Sequence, residues 1–115
     1  MATRVFSPSR SAPGLVFVSG QTPLRDDDGV DEDAGAQVHV VLDRIRDALR
    51  EHGLGLDDVV KVTYFLTRID DLPAVRAALQ ERWTDPPPAA SLVEVSALID
   101  PRFRIEIEAI AAPRG

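Results

Sequence analysis

Only two stretches of this chain carry a helical period, and the segments around them alternate or run apolar as strands do. Across residues 34–52 the apolar positions Val38, Val41, Leu42, Ile45, Ala48 and Leu49 recur at three- and four-residue spacing, with His39, Asp43, Arg46 and Arg50 opposite them. Gly53 and Gly55 end this helix, because glycine readily takes the left-handed conformation of a C-cap. A second helix is capped by Asp70 or Asp71, takes Pro73 in its first turn and buries Leu72, Val75, Leu79 and Trp83. Pro86, Pro87 and Pro88 stop it.

The strand readings complete the order. Residues 15–19, bounded by Pro13-Gly14 and Gly20, form an apolar run too short for a helix, and Val5 with Phe6 predicts a weaker strand before it. Residues 59–66 place Val60, Val62, Tyr64 and Leu66 on one face and Lys61, Thr63 and Phe65 on the other. Strands over 91–97 and 103–111, joined through Asp100-Pro101, are expected to pair as a hairpin. The expectation is an α+β domain, β-β-α-β-α-β-β, with both helices on one face of a mixed sheet. A partner subunit is the expected cover for the other face.

The 115 residues suit one domain, 1–115, and 44% hydrophobic with 28% charged residues is the balance of a folded protein. With 13 basic and 19 acidic residues the net charge is −6, and the single lysine, Lys61, belongs to no basic cluster, so neither nucleic acid nor an anionic membrane is an expected partner. The absence of cysteine excludes disulfides and thiolate chemistry. No stretch approaches the roughly 20 apolar residues of a membrane span, and cytoplasmic residence is expected.

Between Asp26 and Asp33 six of eight residues are acidic, yet Gly29 sits at the wrong offset for a calcium loop, so no metal is expected there. The last of these acids lie where the first helix starts and favour its positive end. His39 and His52 read as surface or capping residues. Glu106 and Glu108 share a strand face about 7 Å apart, close enough to divide acid and base roles or, with Arg104, to form a solvated charge ladder.

Four ordered blocks then carry a resemblance: residues 15–23, 56–67, 91–95 and 105–111 are similar to the reactive-intermediate deaminase family (Rid, YjgF-like), also called L-PSP endoribonuclease. The resemblance implies a chorismate-mutase-like fold and a homotrimer with small-molecule clefts between subunits. It also implies hydrolysis of imines or enamines, such as 2-aminoacrylate, to 2-oxo acids and ammonia, with no metal or other cofactor. Ser19 and Gly20 match the strand end lining that cleft, and Glu106 matches the acid that handles water. Ala90 stands where the family has its carboxylate-binding arginine, Leu92 where a cysteine is frequent, and Arg76 where an asparagine lies on the second helix; Ser91 lines the same segment. The family's N-terminal tyrosine has no counterpart. Losing the arginine removes charge-assisted hydrogen bonds of roughly 1.5–3 kcal/mol each, unless Arg76 supplies a displaced cation. The implied readings are a hydrolase acting on C=N bonds of less acidic substrates, a non-catalytic binding or regulatory trimer, and, against the negative charge, an endoribonuclease.

Overall fold

The longer helical pattern forms α1, Ala34–Arg50, in the computed structural model, which describes residues 4–113. Asp33 starts it by accepting a hydrogen bond from Ala36 N at 2.8 Å. Its end is a Schellman turn, in which Gly53 at φ 72° donates to Arg50 O at 3.0 Å and Leu54 N donates to Leu49 O at 3.1 Å. Gly55 has an extended backbone and no part in the cap; its N–H donates to Asp58 at 2.9 Å. Leu42, Ile45 and Leu49 are fully buried, and each such side chain contributes about 1.5–3 kcal/mol by leaving water.

The second helix, α2, spans Leu72–Arg82 with Pro73 in its first turn, as its sequence predicts. Val75 and Ala78 are buried, while Leu72, Leu79 and Trp83 pack against the core edge. Neither aspartate caps it through a side chain. Asp71 instead takes both hydrogen bonds of the Arg104 fork, one of them from Nε at 2.8 Å, and Arg104 Nη1 also donates to Glu32 O at 2.8 Å. This corrects the charge-ladder reading, because Arg104 precedes the strand and is committed to Asp71 rather than to the two glutamates.

Five strands form one sheet in the order β1-β2-β5-β3-β4, where β1 is Ser9–Ala12, β2 Leu15–Gln21, β3 Val59–Leu66, β4 Ala89–Glu94 and β5 Ile105–Ala111. The first strand lies beyond Val5 and Phe6, both exposed and outside the sheet, because Pro13 and Gly14 (φ 78°) make a tight turn that pairs Ala12 with Leu15. The expected hairpin of the last two strands is also overturned. β5 lies antiparallel between β2 and β3, and β4 runs parallel to β3 at the edge. The physical reason lies in the side chains: Ile105, Ile107, Ala109 and Ala111 are buried along β5 and favour a central position, whereas β4 opens on two exposed alanines.

Both helices cover one face, above Val16, Val18, Val62, Tyr64, Leu66 and Ile107. A register shift between Val59 and Lys61 turns Val60 out to 48% exposure, against its expected place beside Val62. On the other face Phe17 and Val93 remain 41% and 43% exposed, so no described element covers it. No helix among the described residues is long and apolar enough to cross a membrane.

Candidate functional site

The antiparallel register of β2 on β5 breaks between Val18 and Gln21, a bulge that contains Ser19 and Gly20. Ser19 donates its hydroxyl to Ser7 O and so ties the N-terminal segment to the strand end. Gly20 lies against Glu106 of β5, and a β-carbon there would stand 2.3 Å from Glu106 Oε2. The bulge and the missing side chain let the carboxylate fold over the β2 backbone. No described residue donates a hydrogen bond to that carboxylate, although it is half-buried. Burial, and then the charge of Glu108, pushes its pKa above the ordinary glutamate value. A carboxyl held this way has free lone pairs and is primed to take a proton from a bound water.

The remaining sequence-derived candidates divide across the sheet. Ser91 is the register partner of Thr63 on the uncovered face, where Lys61 Nζ donates to its hydroxyl at 3.1 Å. Ala90 and Leu92 are the partners of Val62 and Tyr64, and so lie on the helix-covered face at the β4 edge. Ala90 is exposed, and Leu92 packs against the core. Glu106 partners Phe65 on the uncovered face. The sheet thus separates Glu106 from Ala90 within one chain.

Arg76 is exposed on α2 and has no hydrogen bond or ion pair with a described residue. The acids that flank it are engaged elsewhere, Asp71 by Arg104 and Glu81 by His39 at 3.2 Å. Arg76 thus carries an exposed charge that no described residue pairs. Just past the end of α2, Trp83 Nε1 donates to Tyr64 OH at 2.8 Å, and Tyr64 is the register partner of Leu92. The histidines lie elsewhere: His52 bonds Ser9 Oγ at 2.8 Å, and His39 joins Arg82 and Glu81 across the helix pair.

Sequence reasoning missed two residues near this region. Gln37 has no exposed surface; its Nε2 donates to Asp31 O at 2.7 Å and Arg102 O at 3.0 Å, and its Oε1 accepts from Arg104 N at 2.8 Å. Its place one turn before Val41 on the buried stripe was the available signal. Lys61 faces a cavity of about 290 Å³ over the uncovered face, together with Phe17, Ser19, Thr63, Glu108 and Ile110. In the acidic loop Arg25 pairs with Asp27 at 3.2 Å and with Asp31, and no group of three or more metal-ligating side chains occurs among the described residues.

Two helices on one face of a mixed five-stranded sheet, with a strand-end glycine against a carboxylate, define a chorismate-mutase-like α+β protein. The family described as Endoribonuclease L-PSP matches residues 1–113. The chain is 36% identical over 105 residues to 2-iminobutanoate/2-iminopropanoate deaminase of Escherichia coli K12, covering 87% of this chain and 80% of that protein. It is 37% identical over 101 residues to the mitochondrial protein mmf2 of Schizosaccharomyces pombe, covering 86% of this chain and 80% of that one. The crystal structure of the E. coli yjgF gene product superposes with a TM-score of 0.90 at 32% identity, over 98% of this chain and 91% of that one. The chain belongs to the L-PSP, or Rid/YjgF-like, family.

Proposed function

We propose that this chain is a cofactor-independent Rid-family hydrolase acting on an imine, enamine or related reactive metabolite, and that it belongs to a subgroup lacking the carboxylate-binding arginine. The observation that carries this reading is Glu106, a half-buried carboxylate with no hydrogen-bond donor among the described residues and a raised pKa, at the Ser19–Gly20 bulge. In the reaction, Glu106 takes a proton from water as its oxygen attacks the iminium carbon. The C–O bond forms, the C–N bond breaks in the resulting carbinolamine, and the proton leaves on ammonia. The iminium and water become a carbonyl compound and ammonium.

The relative named 2-iminobutanoate/2-iminopropanoate deaminase supports the reaction class. Ala90 argues for a different substrate, because no guanidinium stands at that position to hold a carboxylate. Homotrimer formation belongs to the same reading: the uncovered face exposes Phe17 and Val93, and Glu106 and Ala90 lie on opposite faces of one sheet, so a cleft between two copies would bring them together. Ser19, Gly20, Ser91, Leu92 and Arg76 would then line the cleft around Glu106 and Ala90. Cytoplasmic residence is also part of this reading, although the fission-yeast relative is named as mitochondrial.

The test follows the decay of 2-aminoacrylate and of an imine without a carboxylate, each generated enzymatically, with the protein and with Glu106→Gln. Faster decay of the uncharged imine, lost in the variant, supports the proposal. No acceleration of either, with ligand binding intact, favours a second reading as a non-catalytic small-molecule binding or regulatory trimer, which the apolar Ala90 and Leu92 support. An endoribonuclease activity is disfavoured by the −6 charge.

A further inference from the structure

Two loops, residues 25–33 before α1 and residues 95–104 before β5, are joined by side chains that reach for backbone carbonyls. Arg102 Nη1 donates to Asp28 O at 3.3 Å, Arg104 Nη1 to Glu32 O at 2.8 Å, and Gln37 Nε2 to both Asp31 O and Arg102 O. The junction leaves a cavity of about 390 Å³, lined by Arg68, Arg102 and Arg104, with Val30 and Pro101 as an apolar flank. Pockets for small molecules occupy roughly 300–1,000 Å³. Gln37 belongs to α1 and Asp71, which holds Arg104, directly precedes α2, so the cavity lies beside the helices. It shares no lining residue with the cavity over the uncovered face or with the cleft proposed around Glu106.

We propose that this cavity binds a phosphoryl group, carried either by free phosphate or by a small phosphate monoester. The three guanidiniums divide the work. Arg102 is held by Asp100 at 3.1 and 2.8 Å and by Asp28 O, and Arg104 by Asp71 and Glu32 O. A guanidinium has five N–H groups, so each of these two keeps N–H groups to spare in an orientation already fixed, and little side-chain freedom is lost on binding. Arg68 is exposed and has no hydrogen bond or ion pair with a described residue, so its whole fork is free. Asp100 and Asp71 balance the charges of Arg102 and Arg104, and Arg25 balances Asp31, which leaves Arg68 to supply the attraction. A carboxylate is satisfied by one fork, whereas the tetrahedral oxygens of a phosphoryl group accept from donors in several directions. Glu32 lines the same cavity and opposes an anion, which limits the affinity; a cation drawn by Glu32 meets three guanidiniums instead.

Titration of the full chain with inorganic phosphate at constant ionic strength, followed through backbone amide shifts, tests the proposal. Saturable shifts centred on Val30, Arg68 and Arg102 are expected. Arg68→Met should raise the dissociation constant at least fivefold, and Glu32→Gln should lower it at least twofold. Neither change touches a tether between the loops, because Arg68 makes none and Glu32 takes part only through its carbonyl oxygen. Arg50→Met, which removes the same charge at the far end of α1, should leave the affinity unchanged, and acetate should bind at least tenfold more weakly than phosphate. Ribose 5-phosphate binding more tightly than phosphate would identify the ligand as an ester whose carbon body rests on Val30 and Pro101, and equal or weaker binding would identify it as free phosphate. Absence of saturable shifts overturns the proposal, as do shifts centred on Ser19 and Gly20, which would put the anion in the Glu106 cleft. Acetate binding as tightly as phosphate, or Arg50→Met weakening phosphate as much as Arg68→Met, would overturn it too.

Discussion

The α-carbon of Gly20 stands so close to Glu106 that a methyl group added to it would lie 2.3 Å from the carboxylate oxygen. Backbone strain is not what requires glycine here, since Gly20 is absent from the positive-φ glycines. The requirement is room for the carboxylate. Gly20→Ala should therefore push Glu106 out of its place while the strand persists, because the displaced atoms are the far end of a flexible side chain. The expected cost in stability is under about 1 kcal/mol, with imine hydrolysis falling at least tenfold. Urea unfolding and the decay assay on the same preparation check both.

Burial and the nearby charge of Glu108 make the folded protein hold the Glu106 proton more tightly than the unfolded chain does. Stability should therefore decline as pH rises from the ordinary glutamate range through the raised folded value. Glu106→Gln removes this dependence, so the variant should gain on the parent as pH rises above the ordinary glutamate value. Unfolding free energies measured across that range supply the comparison, and a constant difference would contradict the expectation. In the proposed reaction the acid limb of the rate profile should also lie above the usual glutamate value.

Ala90→Arg places a guanidinium at an exposed edge-strand position. Folding should be unaffected to within about 0.5 kcal/mol. Hydrolysis of 2-aminoacrylate should rise by an order of magnitude or more relative to the uncharged imine. A well-folded variant with unchanged preference would count against the inherited substrate pose.

Asp71→Asn leaves the Arg104 fork without its charged acceptor at a site where Asp71 is only 8% exposed. A loss of about 2–4 kcal/mol is expected, reduced from a fully buried pair because Arg104 is partly solvated. A shift in the denaturant midpoint measures it, and an unshifted midpoint would show the pair to be dispensable.

The helices were legible because their signals are local: the stripe from Val38 to Leu49 and the left-handed Gly53 need only neighbouring residues. The partners of β5 were not. Asp100-Pro101 looked like a hairpin turn, but strand pairing depends on which strands best cover a buried ladder, and Ile105, Ile107 and Ala109 claim the position between β2 and β3. Glu106 was legible as a candidate through its pattern and family likeness. Its isolation from protein donors, the separation of Ala90 across the sheet and the engagement of Asp71 by Arg104 arise from long-range register, which one-dimensional spacing does not carry.

If the proposed trimer forms, the placement of residues 90 and 106 on opposite sheet surfaces has a genetic consequence. A lesion at Glu106 on one polypeptide and an arginine introduced at position 90 on another are, in a mixed assembly, contributions to separate crevices and to shared ones. In the trimer proposed above, co-expressed chains, one carrying each change, should form some crevices that keep Glu106 beside Ala90 and others that join the lesion to the introduced arginine, so that activity follows the statistics of subunit mixing rather than the average of the two parents.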